Sequence, residues 1–265
     1  MKLKITHTTR YAYDHPVDYA LQRLRLRPNN NGLQTVHDWA LDIEGGKIEA
    51  QFADHHANQS DLVSAIPGTS SIEVTASGTV ETHDTAGILG KVYGAAPLWH
   101  YRQQTDRTLP GKAIRSLGKS LTRSGDQVAI LHALSTEILK IAPYAIGHTY
   151  NDTTAEEALT GGSGVCQDHA QIFASACRVA GMPARYVSGY LMLDDREDQD
   201  ASHAWAEVHL DDLGWVGFDV SNGVSPDGRY VRLATGLDAR EAAPVSGLRL
   251  GNSNESMIVS LQVQQ

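Results

Sequence analysis

Gly161-Gly162-Ser163-Gly164-Val165-Cys166-Gln167-Asp168-His169-Ala170 sets a glycine-rich loop directly before a run with helical periodicity. Positions 166, 170, 173, 177 and 180 are Cys, Ala, Phe, Cys and Ala, spaced by four and three along one face. That pattern predicts a helix from about Cys166 to Gly181 whose small, apolar face packs on a sheet. The sheet follows at once. Alternation predicts strands over 185–193, 203–210 and 215–219, the last two joined by a turn at Asp211-Asp212-Leu213-Gly214.

Upstream, two shorter helices are expected. Ser124-Gly125-Asp126-Gln127 resembles a capping box ahead of Val128, Leu131, Leu134 and Ile138 at helical spacing. Thr154-Ala155-Glu156-Glu157 repeats that start signal before a helix stopping at Gly161-Gly162. The first third reads instead as strands, because residues 23–27, 35–43 and 72–80 alternate polar and apolar. Turn signals at Pro28-Asn29-Asn30-Asn31-Gly32, Glu44-Gly45-Gly46 and Ile66-Pro67-Gly68 separate them. Short strands at this spacing suggest an antiparallel sandwich or barrel that serves as scaffold or docking surface. The fold class is α+β. We expect an amino-terminal β domain over 1–85 and a second domain over 86–265. The second has a helical lead-in, the helix and sheet above, and closing strands such as Ile258-Val259-Ser260-Leu261.

The 265 residues suit one large domain or two small ones. With 22 Lys and Arg against 31 Asp and Glu, the formal charge is −9, which argues against a nucleic-acid partner. No apolar run reaches the roughly 18 residues of a membrane helix, so no membrane partner is expected. The start, MKLKITHTTRYAYDHP, lacks the apolar region of a secretory signal, and the expected location is cytoplasmic. The only cysteines, Cys166 and Cys177, sit three turns apart on the expected helix, too far to bridge.

Cys177, mid-helix on the apolar face, reads as a small buried hydrophobe. Cys166 is different, because unpaired N–H groups at a helix start favour a thiolate and can hold an oxyanion. A thiolate nucleophile needs a base, and the base needs an orienting group. In Ser202-His203-Ala204-Trp205-Ala206-Glu207-Val208, alternation puts His203, Trp205 and Glu207 on one face. The following hairpin returns Asp219 beside His203. There a carboxylate can accept from one imidazole nitrogen while the other faces the thiol. Trp205 either packs beside the imidazole or lines the cleft.

Four segments together resemble the bacterial transglutaminase-like family, within the transglutaminase-like cysteine protease superfamily. They are residues 164–170, Gly181-Met182-Pro183-Ala184-Arg185-Tyr186-Val187-Ser188-Gly189-Tyr190, residues 202–208, and Gly214-Trp215-Val216-Gly217-Phe218-Asp219. Thr8-Thr9-Arg10-Tyr11-Ala12-Tyr13-Asp14-His15-Pro16-Val17 is similar to the β-rich domain that precedes this core in such proteins. The resemblance implies a papain-like core with the catalytic triad Cys166, His203 and Asp219. Trp205, Gln167 and Asp168 are carried as substrate-binding candidates. The sequence departs from the family pattern at Val220, where a proline often follows the triad aspartate, and at His169, where an aromatic is frequent.

The expected chemistry is acyl transfer from an amide through a thioester, to water (peptide or isopeptide hydrolysis) or to an amine (transamidation). The expected partner is a peptide or protein amide substrate, with an amine acceptor in the second case. Alternatives are a catalytically silent binding module, a scaffold working through its amino-terminal β domain, and a thioester-dependent acyltransferase. The acidic run at 194–200 is either a solvated loop or an overhang that attracts a cationic amine. Cys166-x-x-His169 and His55-His56 supply metal-ligand types, but no second pair has finger-like spacing, and no nucleotide motif occurs. No cofactor and no metal are expected.

Overall fold

The computed structural model describes residues 1–17, 19–121, 124–250 and 255–265. Six strands come first: β1 (Lys2–Tyr13), β2 (Tyr19–Arg27), β3 (Gln34–Glu44), β4 (Gly46–Ala53), β5 (Gln59–Ala65) and β6 (Ser71–Thr82). A short β7 (Ile88–Gly90) and a 3-10 turn (His100–Arg102) lead to α1 (Lys112–Ser120), α2 (Gln127–Ile141), α3 (Ala155–Gly161) and α4 (Cys166–Val179). Then follow β8 (Ala184–Leu191), β9 (Asp198–Gln199), β10 (His203–Leu210), β11 (Gly214–Phe218), β12 (Tyr230–Gly236), β13 (Val245–Leu250) and β14 (Glu255–Gln264).

Three antiparallel sheets result, in the orders β3-β6-β1-β14-β9, β13-β2-β5-β4 and β12-β8-β10-β11-β7. The first two form the expected sandwich, whose core holds Leu3 and Ile5 of β1, Leu24 and Leu26 of β2, Val63 of β5 and Val74 of β6. The closing strands exist, but they complete the amino-terminal sheets. β14 pairs with β1 from Lys4↔Gln264 to Tyr13↔Glu255, and β13 pairs with β2. Without β14, one edge of β1 would present a row of unpaired backbone groups.

The third sheet is covered on both faces. Ala206, Val208 and Phe218 pack under α4, while Tyr190, Val231 and Leu233 enter the core of the sandwich. The helix is more enclosed than its stripe predicts, since residues 168–178 are buried without a break. The sheet covers one side and the other helices the rest, with Ile114 of α1, Leu131 of α2 and Leu159 of α3 in the same core.

Local signals explain which helices were readable. The Thr154 capping box is present as expected, with Thr154 Oγ1 accepting from Glu157 N–H and Glu157 Oε2 accepting from Thr154 N–H. On α2 the cap is Asp126 and not Ser124: its Oδ1 accepts from Ala129 N–H at 3.1 Å. The helix α1 carries no local signal. Its start is capped from a distance by Glu156, which accepts from the N–H groups of Gly111, Ala113 and Ile114 at 2.7–3.0 Å. It also contains Gly118, a poor helix former. That glycine lets α1 cross α4 closely, because a Cβ there would meet Val179 Cβ at 2.6 Å and the Ala176 carbonyl at 2.7 Å.

Gly118→Ala is therefore expected to lower the thermal midpoint, at a cost of about 1–3 kcal/mol for overpacking. Gly161→Ala, where an added Cβ meets nothing within 4 Å, is the control and should leave the midpoint unchanged or slightly raised. Equal melting of the two proteins would show that the α1–α4 crossing tolerates the extra methyl.

Candidate active site

The loop before Cys166 is held in place. Gly162 takes a left-handed conformation (φ 73°) that ends α3, and a Cβ on Gly164 would meet Asp168 Cβ at 2.8 Å. Asp168 is 1% exposed and turned inward. Its Oδ2 accepts from Val165 N–H at 2.9 Å and from Thr149 Oγ1 at 2.7 Å. It anchors the start of α4, away from the residues that line the cleft. A carboxylate in the first turn also suits the positive end of the helix.

Cys166, the first residue of α4, is half-buried and packs beside Ala170, Tyr186, Ala204 and Ala242. Cys177 is fully buried, and burial pushes its thiol well above the usual range. The two cysteines are thus one accessible sulfur and one inert one.

His203 opens β10, and its Nε2–H donates to Asp219 Oδ2 at 2.6 Å. Cys166 lines the same cleft as the ring and acts on its charge. Burial alone would lower the pKa of this imidazole, but the hydrogen bond to Asp219 and the charges of Asp219 and Cys166 outweigh it and raise it to about 10. Asp219 sits just past the end of β11 and is 1% exposed. Desolvation opposes its charge, yet its carboxyl is held below the usual range by His203, by Asn222 and by Tyr230. Asn222 donates through its backbone N–H to Oδ1 at 3.2 Å and through Nδ2 to Oδ2 at 2.6 Å. The Tyr230 hydroxyl donates to Oδ2 at 2.7 Å.

Sequence reasoning missed both of these donors. Asn222 reads as part of a turn, and Tyr230 reaches Asp219 only because β12 lies across β8 from β10. Trp205 stands behind the imidazole, 2% exposed, with ring centroids 6.3 Å from His203 and 5.5 Å from Tyr230. Of its two expected roles it takes packing, not cleft lining. Further along β10, Glu207 is clamped by Arg185 Nε at 2.6 Å and Arg232 Nε at 2.9 Å.

A cleft of about 510 Å³ opens over Cys166 and His203, with Gln167 and Asp200 on its lining. Its far wall is the amino-terminal sheet: His7, Thr9 and Tyr11 of β1, with Met257 and Val259 of β14. This corrects the reading of that region as scaffold or docking surface alone. Burial lowers the pKa of His7 to about 4, so it is neutral at pH 7. From the acidic run only Asp200 reaches the cleft. Asp198 pairs in β9 with β14, and Asp194 meets Arg229 at 3.7 Å. Arg107 and Arg240 also line the cleft, so it is not an acidic trough. His169 is committed elsewhere, with Nε2–H donating to the Ala142 carbonyl and Nδ1 bonded to Ser221 Oγ, both at 2.8 Å.

Residues 115–220, which contain Cys166, His203 and Asp219, match the family model of the transglutaminase-like superfamily. Residues 3–81 match the bacterial transglutaminase-like N-terminal region. An uncharacterized protein of Mycobacterium leprae is 23% identical over 275 residues, covering 99% of this chain and 98% of its own. One from Mycobacterium bovis is 27% identical over 291 residues, covering 99% and 92%. The crystal structure of a candidate cysteine protease from Cytophaga hutchinsonii shares the fold, with a TM-score of 0.77 and 23% identity over 100% of this chain and 91% of that one.

Because the His203 pKa is raised, the stability contributed by its pair with Asp219 is fully present below pH 6.5 and is lost as pH rises through about 10. Asp219→Asn is expected to lower the His203 pKa by at least about one unit. It should also flatten the loss of stability between pH 7 and 10. Imidazole titration by NMR, beside denaturant melts at both pH values, checks this. An unchanged His203 pKa would mean that Asp219 does not set the charge of the ring.

Proposed function

Because the chain belongs to the transglutaminase-like superfamily, with the bacterial amino-terminal region ahead of the core, we propose that it is a cysteine-dependent acyl-transfer enzyme acting on peptide or isopeptide amides. The observation that carries this reading is one imidazole that shares a cleft with Cys166 and is hydrogen-bonded to the buried Asp219 carboxylate. A nucleophile, a base and an orienting group in that order are the requirements of covalent acyl transfer.

In the proposed reaction the Cys166 sulfur, as thiolate paired with the His203 imidazolium, attacks the amide carbonyl. The C–N bond breaks as His203 passes its proton to the leaving amine, which leaves a thioester on Cys166. Water or a second amine then attacks the thioester and gives a proton to His203, and Cys166 departs as the thiolate, which restores the starting ion pair. Asp219 holds the ring with Nε2–H toward itself throughout and balances the imidazolium charge. The two halves of the chain would share substrate recognition, since β1 and β14 wall the same cleft that Cys166 opens onto. No helix among the described residues is long and apolar enough to cross a membrane. The proposed compartment is the cytoplasm, which keeps a free thiol reduced.

Iodoacetamide labelling between pH 5 and 9, read by peptide mass mapping, tests the nucleophile. Cys166 should react rapidly at pH 6 and Cys177 not at all, with the difference removed in His203→Ala. Turnover of peptide amides should fall at least about 100-fold in Cys166→Ala and in His203→Ala. Free acid as product marks hydrolysis, and a new amide formed with an added primary amine marks transamidation. A Cys166 that reacts no faster than a free thiol would favour a silent binding module instead. Turnover of acyl-thioesters but not of amides would favour the acyltransferase reading.

A further inference from the structure

Three imidazoles and a carboxylate converge at a second place in the molecule. His55 and His56 lie in the turn between β4 and β5, His100 opens the 3-10 turn, and Glu241 sits between β12 and β13. One ligand atom from each lies within 4.8 Å of all the others. The ring centroids are 4.0 Å apart for His55 and His56, and each is 5.3 Å from His100. We propose that His55, His56, His100 and Glu241 bind a zinc ion, as a structural site separate from the Cys166 chemistry.

The chain has organised these side chains. The turn that presents the two adjacent histidines is held by Asp54, whose Oδ1 accepts from the N–H groups of His56 and Asn58, each at 3.0 Å. Asp54 Oδ2 accepts from Arg25 Nε at 3.2 Å. The same turn stores strain at Ala57, a non-glycine residue with φ 67°. His56 is buried, and its Nδ1 lies 3.1 Å from the Tyr101 hydroxyl. Its Nε2 points at Glu241 Oε2, 3.0 Å away. A ligating histidine ordinarily has such an outer partner, which fixes the tautomer and leaves the second nitrogen for the metal.

His100 supplies the observation that points outward from the protein. Its Nε2 is buried and has no hydrogen-bond partner, and an unpaired buried nitrogen is costly unless something binds it. Three imidazoles with one carboxylate are ligands suited to a borderline divalent ion, and four protein donors match a closed, tetrahedral zinc site. Zinc bonds of roughly 2.0–2.1 Å put ligand atoms about 3.3 Å apart. His56 and Glu241 already stand that close. The others stand within 4.8 Å, so the exposed His55 and the half-buried His100 need to close in by at most about 1.5 Å to reach that spacing.

The position gives the ion a consequence. Glu241 is followed by Ala242, which packs with Tyr186 and Ala204 beside Cys166. Its neighbours Ala239, Arg240 and Ala243 line the cleft. A metal joining Glu241 to the β4–β5 turn and the 3-10 turn would therefore fix one cleft wall.

The test uses untagged, chelator-stripped full-length protein carrying Cys166→Ser, so that the thiol–imidazole pair neither takes metal nor performs acyl transfer. Whether the proposed reaction occurs then has no bearing on the result. Titration with zinc chloride in a calorimeter should give one equivalent bound at about 1 μM or tighter, and the thermal midpoint should rise. His55→Ala, His100→Ala and Glu241→Gln, each checked for an unchanged circular dichroism spectrum, should weaken binding at least about tenfold. Tyr101→Phe should weaken it by about tenfold or more through the lost outer partner. Cobalt in place of zinc should show the visible bands of a four-coordinate ion without thiolate charge transfer. No binding, binding weaker than this, or binding unchanged in the three ligand variants overturns the proposal.

Discussion

A carboxylate that stays charged while 1% exposed must be supplied with donors, and Asp219 organises this protein around that demand. Its donors come from β10 (His203), from the turn after β11 (Asn222) and from β12 (Tyr230). The turn itself closes on the Asp219 backbone, which exchanges hydrogen bonds with Val224 at 2.8 and 3.2 Å. Each donor fixes an element, and together they orient the ring that faces Cys166. Were the carboxylate solvated, His203 would be one more half-exposed histidine at a strand end.

The same need recurs wherever charge is buried between the helix layer and the sandwich. Glu207 is met by two arginines, and the Arg185 guanidinium also lies 3.8 Å from the Trp215 ring centroid. Arg178 of α4 donates to the carbonyls of Ala184 and Leu237 and to Thr108 Oγ1. A sheet enclosed on both faces pairs its charges this way because water cannot reach them. The result is a firm platform beneath a polar site.

What the sequence revealed and what it hid divide along range. The Cys166 helix, the β10–β11 hairpin and the Thr154 cap are written in periods and neighbours of a few residues, so they were legible. Within the hairpin, the return of Asp219 to His203 followed from turn length alone. The cap on α1 was not legible, because it comes from Glu156, more than forty residues downstream of Gly111. Nor was the cleft wall on β1, since His7, Thr9 and Tyr11 alternate like any half-buried strand and only tertiary packing brings them over Cys166. The cluster at His55, His56, His100 and Glu241 escaped for the same reason: three separate segments supply it, and no motif spacing links them. For Trp205 the alternation left packing and cleft lining both open, and only the tertiary structure places its ring behind the imidazole.

The pairing of β1 with β14 also carries a timetable. Lys4 and Gln264 are register partners 260 positions apart. At synthesis rates of roughly 5–20 residues per second, about 13–52 s separate their appearance on the ribosome. Asp219 precedes Met257 by 38 residues, so for roughly 2–8 s of that interval the thiol, its base and the aspartate have all been made while the wall contributed by Met257 and Val259 has not. Such distant pairing is slow to form, because loop closure must be paid before contact rewards it. A nascent chain thus holds Cys166 in an unfinished cleft until β14 docks, which ties completion of the cleft to the synthesis of that strand.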